Sequence, residues 1–204
     1  MTGDERRSQI LHVAIKLFSQ YGFRGTTTKE IARAAGVSEA MVFRHFATKE
    51  ELYHAILDHK ACEGGGSNPC DEIAGLIASK DDYQVFYNLM LNALNHHEAD
   101  PEFMRVLFHS ALEGHELSEI FIERNIVPVY ELMSAYIAER QKDGAIRADV
   151  NPRVVVRAFV GMMIHHALNN SLWDRKRRLL DISNEEAARA FADILLRGVG
   201  PAAE

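Results

Sequence analysis

An all-α fold is predicted for this chain by three observations. Apolar residues recur at spacings of three and four along most of its 204 residues. Ser, Thr, Asp or Asn opens several of these stretches, and glycine closes the first two. No alternation of apolar and polar residues competes as a strand.

The first helix is expected over residues 4–21, with Ile10, Ala14, Leu17 and Phe18 on one stripe and Gly22 ending it. A short second helix starts near Thr28. The Thr27 hydroxyl can cap its first amides while Glu30 reaches back in a capping box, and Ile31, Ala34 and Ala35 form the apolar stripe. Gly36 then supplies the left-handed backbone for a sharp turn. Ser38 caps a third helix over 39–46, in which Val42 and Phe46 face inward and leave Glu39, Ala40, Met41 and Phe43 on other faces. A capping box of Thr48 with Glu51 opens the next helix, which runs to about residue 60 and carries Lys49 in its first turn, beside amides that can grip a phosphate. A short helix, a glycine turn and a second short helix with a free outer face make a helix-turn-helix, and that arrangement reads DNA.

Residues 62–70, CEGGGSNPC, break the pattern, and a flexible loop is expected at 63–69. Further helices are expected over 83–97, 101–112, 118–141, 152–172 and 184–199. Pro128 lies inside the third of these, so that stretch is either one kinked helix or two helices meeting at residues 125–127.

A composition of 47% hydrophobic and 25% charged residues is ordinary for a globular protein. No run of about 18 apolar residues crosses a membrane and the N-terminus has no apolar signal core, so the cytoplasm is expected and a membrane is not. Cys62 and Cys70 are expected as free thiols there, with redox sensing as the alternative. The net charge of -6 is unevenly spread. Residues 1–60 hold nine Lys and Arg against seven Asp and Glu, and residues 61–204 hold fourteen against twenty-two. An acidic body beside a mildly basic head limits non-specific adhesion to a polyanion and helps orient the head.

Residues 8–57, above all FSQYGFRGTTTKEIARAAGVSEAMVFRHFATKEEL, resemble the DNA-binding domain of the TetR family of transcriptional repressors. The rest of the chain resembles the family in being helical and of the expected length. The resemblance implies that Thr28, Arg44, His45 and Lys49 touch phosphates and that Lys29, Glu39, Ala40, Met41 and Phe43 meet bases, and the two capping residues Thr27 and Ser38 are counted with them as DNA-binding residues. It also implies a homodimer, a double-stranded operator and a small-molecule effector held in the second domain. The expected division is a helix-turn-helix domain over 1–47, a connecting helix over 48–62, and a helical effector-binding and dimerising bundle over 70–204.

On the later helices, Phe86, Met90, Phe103, Tyr130, Met133 and Met162 are the candidate lining of a mostly apolar effector pocket, since adaptable Met and aromatic faces suit such a cavity as well as a plain core. Phe159, Met163, His166, Phe191, Ile194 and Leu195 recur late in the chain and are the candidate dimer contacts. A metal site is the rival. His109 and Glu113 share a face at i, i+4, but the single Glu-x-x-His match, Glu51 with His54, lies in the head, and no Cys-x-x-Cys or His-Glu-x-x-His occurs. No metal or cofactor is therefore expected. No nucleophile elbow or phosphate-binding loop is present either, so an enzyme is not expected. The basic run at residues 174–178 reads as a solvated connection between helices. The reading is a repressor that binds a palindromic operator and is released by a small, mostly apolar effector. The alternative is a helical metal-binding protein or enzyme that kept the head.

Overall fold

The computed structural model describes residues 2–63 and 69–201, which are helical throughout apart from turns and connections, with no strand among the described residues. The helices are α1 (Gly3–Tyr21), α2 (Thr28–Ala34), α3 (Glu39–His45), α4 (Lys49–Glu63), α5 (Pro69–Ile77), α6 (Asp82–Ala99), α7 (Pro101–Glu113), α8 (Leu117–Phe121), α9 (Val127–Lys142), α10 (Pro152–Leu168) and α11 (Asn184–Val199). Residues 64–68, which make up most of the expected loop, and the side chains of Cys62 and Cys70 lie outside the described residues.

The stretch around Pro128 is two helices. α8 passes into a π-helical turn, Ile122–Ile126, and α9 begins directly after it with Pro128 in its first turn, where a missing amide hydrogen costs nothing. α10 ends at Leu168 and continues as a second π-helical turn, Asn169–Trp173. α5 went unpredicted.

The chain divides into two compact units. The first joins the described residues up to Glu63 with Asp100–Arg124, and the second joins Pro69–Ala99 with the described residues from Asn125 onward. These units cut the chain at other positions than 47, 62 and 70. α4 buries Leu52, Tyr53 and Ile56 against α1 and so contributes to the core of the first unit. α7 likewise packs on α1 and brings Phe103 and Val106 into the same core. Burial of these large side chains stabilises the unit by roughly 1.5–3 kcal/mol each.

In the second unit α6 lies along α11 and also meets α10. Phe86 and Phe159 meet edge to face at 5.2 Å, and Ala187, Ala188 and Ala192 let α11 approach closely. Asp82 at the start of α6 takes a forked pair of hydrogen bonds from Arg140 of α9, at 2.9 and 3.1 Å, and a third from the Tyr136 hydroxyl. Burial, then the neighbouring Asp82 carboxylate, push the Tyr136 phenol well above its ordinary range, so it stays a donor.

Candidate nucleic-acid interface

The helix-turn-helix is built by its caps. Thr27 accepts the Glu30 amide at 3.2 Å and Glu30 returns the bond to the Thr27 amide at 2.9 Å, which closes the expected capping box. These bonds from Thr27 hold the Glu30 carboxyl below the usual carboxylate range. After α2, Gly36 sits at φ +66°, its amide donates to Arg33 and the Val37 amide donates to Ala32, so the last carbonyls of the helix are satisfied as the chain reverses. Ser38 caps α3 by accepting the Met41 amide at 3.2 Å. The turn is also tied to α1, where Gln9 donates to the Ala35 carbonyl at 3.2 Å.

Val42 and Phe46 are buried, and the Arg7 guanidinium lies 4.7 Å from the centre of the Phe46 ring. With its back held in this way, α3 leaves Ser38, Glu39, Ala40, Phe43 and Arg44 exposed and Met41 and His45 half-buried. Glu39 and Phe43 stand one turn apart on the same face. On α2, Thr27 and Lys29 are exposed and Thr28 is half-buried. The Thr28 hydroxyl donates to Glu39 Oε1 at 2.5 Å, joining the two helices across the turn. A hydroxyl has one proton to give, so that of Thr28 is already committed to Glu39.

Lys49 stands in the first turn of α4 and is half-buried. Its ammonium lies 4.1 Å from the centre of the Phe23 ring, and partial burial pulls its pKa down against the opposing pull of Glu50, Glu113 and Glu30. The capping box there is shifted by one residue. The Glu51 amide donates to Thr48, but the Glu51 carboxylate accepts the Ala47 amide at 2.7 Å.

One residue that sets this geometry was read for something else. Glu113, at the end of α7, accepts the amides of Phe23 and Arg24 at 3.1 and 3.3 Å, and its carbonyl accepts the Arg24 guanidinium at 3.2 Å. Its i, i+4 pairing with His109 was the only sequence signal, and that spacing is common on any helix face. Among the described residues no group of three His, Cys, Asp or Glu side chains is placed to hold a metal ion. No helix among them is long and apolar enough to cross a membrane.

The six candidate pocket residues do not share one unit. Phe103 is buried in the first unit, edge to face with Phe121 at 5.6 Å, because α7 starts at Pro101 and packs on α1. Phe86, Met90 and Met133 are buried in the second unit, with Tyr130 and Met162 packed against them. The Ser134 hydroxyl on α9 is buried there and has no hydrogen-bond partner among the described residues. The six candidate dimer residues also divide. Phe159, His166 and Leu195 are buried within their own unit, Met163 and Phe191 are partly so, and only Ile194 is exposed, at 59%. Helix rotation explains this, since the inward face of α11 is set by Ala188, Ala192, Leu195 and Val199, and Ile194 stands outside it.

Residues 10–56 match the model of bacterial regulatory proteins of the tetR family. The HTH-type transcriptional regulator YvkB of Bacillus subtilis (strain 168) is 46% identical over 57 residues, which are 28% of this chain and 30% of that protein. The chain spans less than half the length of the first curated relatives it matches. Among solved structures, NalD, the secondary repressor of the MexAB-OprM multidrug efflux pump in Pseudomonas aeruginosa, is 22% identical with a TM-score of 0.69, covering 97% of this chain and 96% of its own. AibR, solved in complex with isovaleryl coenzyme A and operator DNA, is 21% identical with a TM-score of 0.70, covering 94% and 98%. At such identities the likeness is one of fold. The reading head, residues 10–56, is that of the bacterial regulatory proteins of the tetR family, and the chain as a whole has a helical fold similar to those of NalD and AibR.

Proposed function

We propose that this regulator is a cytoplasmic, ligand-responsive repressor that binds a palindromic operator as a homodimer and lets go when a small, mostly apolar molecule occupies its second unit. The observation that carries the reading is the outer face of α3, on which Glu39, Ala40, Phe43 and Arg44 are exposed while Val42 and Phe46 lock the back of the helix. NalD is named as a repressor, and AibR was solved with isovaleryl coenzyme A and operator DNA, which favours a like division between a DNA-reading head and a ligand-holding unit here.

For the effector, the second unit offers Phe86, Met90, Tyr130, Met133 and Met162 as an adaptable apolar seat, with the unpartnered Ser134 hydroxyl as its polar handle. Phe103 is left out of this seat. For the dimer, the outward face of α10 and α11 offers Val154, 62% exposed, and Ile194. A two-fold dimer places two α3 helices a whole number of DNA turns apart, roughly 10 base pairs or a multiple. Release then requires only that the effector bind the DNA-free form better, and a coupling of about 1–3 kcal/mol is typical.

Selection of duplexes from a random pool by the full chain, followed by gel shift on the winning sequence, tests the reading. A palindrome held against competitor DNA, and released by compounds that raise the melting temperature, supports it. Absence of any enriched sequence, or turnover of a bound compound without such binding, overturns it.

A further inference from the structure

The structure assigns to Glu39 the reading of one cytosine in each half-site; this deepens the function proposed above and rests on it. A carboxylate on the outer face of a reading helix is unusual, because it enters the negative potential of the groove with acceptors only. It is tolerated there only if each oxygen finds a donor. Glu39 Oε1 already has one, the Thr28 hydroxyl at 2.5 Å, while Oε2 has no partner among the described residues. Thr28 sits half-buried in the first turn of α2, so the bond also fixes the direction of the carboxylate rather than leaving it to swing.

The base that fits follows from the edges exposed in the major groove. Guanine presents two acceptors, and thymine an acceptor beside a methyl group. Adenine presents a donor, but its N7 acceptor lies next to it and repels a carboxylate. Cytosine alone offers the N4 amino donor with no acceptor on the same edge. A carboxylate with one oxygen satisfied by protein therefore accepts from cytosine N4 with the other. Phe43, one turn further along and 45% exposed, is apolar and does not compete for that proton.

The test is selection from a random duplex pool by the full chain and by the variants Glu39→Gln, Glu39→Ala and Thr28→Val, with gel shifts on the wild-type winner. The wild-type motif should contain a symmetric C·G pair whose change from C to T weakens binding by about tenfold. Glu39→Ala should lose most of that discrimination. Glu39→Gln should move the same position to adenine, whose N6 and N7 it can pair with at once, while every other position is kept. Thr28→Val should keep the cytosine but discriminate less. Glu39 is exposed, so its variants should melt with the wild type, and the near-isosteric Gln variant decides the matter if Ala does not fold. A palindrome enriched by the wild type and selected unchanged by both Glu39 variants overturns this assignment alone. A wild type that enriches nothing overturns instead the reading on which it rests.

Discussion

The carboxylate of Glu113 fills the space where a side chain on Gly22 would begin. Gly22 lies at φ +72°, and a Cβ built there would meet Glu113 closer than any real contact allows. The absent side chain lets α7 reach the turn between α1 and α2 and hold the Phe23 and Arg24 amides, the segment that leads into the cap of α2. The placement of the reader in the first unit therefore depends on a residue ninety positions away in the chain.

Gly22→Ala should destabilise the protein by about 1–3 kcal/mol, from the left-handed backbone and from displacement of the carboxylate together. Glu113→Ala should cost about 1–2 kcal/mol by leaving two amides without their acceptor. Urea denaturation of both variants and of the double variant checks the link. The double variant should be more stable than the sum of the two by about 1 kcal/mol, since the clash disappears with the carboxylate. Simple additivity contradicts the relationship.

Phosphate and base contacts should separate by their response to salt. Arg44 is exposed, and no aromatic face among the described residues claims its charge, so Arg44→Ala should weaken binding to all sequences and lower the salt slope by about one unit. Phe43→Ala should leave the slope unchanged and relax sequence preference. Lys49→Ala should lower the slope less than Arg44→Ala, because its ammonium lies over Phe23. Affinity titrations at several salt concentrations distinguish the three.

The two late-helix residues Ile194 and Leu195 should fail in opposite ways although they are neighbours. Ile194→Glu should give a folded monomer in sedimentation, because the residue is exposed on its own unit. Leu195→Glu should instead lower stability by at least about 2–3 kcal/mol, because it places a charge in the core against α6. A folded dimer of the first variant would move the interface elsewhere.

His97 predicts an acid limit. Burial, with His96 beside it, pushes its pKa down to about 4 from the ordinary 6.5. Between those values the unfolded chain binds the proton that the folded one refuses. Its contribution is therefore complete above about pH 6.5 and is lost as the pH falls toward 4. From pH 7 to 5 the loss should be about 2 kcal/mol. His97→Asn should flatten this part of the stability profile, as read from urea midpoints at the two pH values.

The sequence alone determined the reading head, because everything that makes it is local. The Thr27 and Ser38 caps, the Gly36 turn and the inward pair Val42 and Phe46 each depend on residues within a few positions, where hydrogen bonds and helical periodicity leave little choice. The split at Pro128 was legible for the same reason, as one of two stated outcomes. Tertiary structure decided what no neighbour can decide. α5 is short and contains Gly75, so only Ile73, Leu76 and Ile77 mark its apolar side, and packing in the second unit supplies the rest. Phe103 looks like any core residue of a bundle, and which core it joins depends on α7 meeting α1. Leu195 and Ile194 are equally apolar in the sequence, and the close approach of α6 to the alanines of α11 buries one and exposes the other. Periodicity reports that a helix has a buried face; only the partner helix decides which residues that face contains.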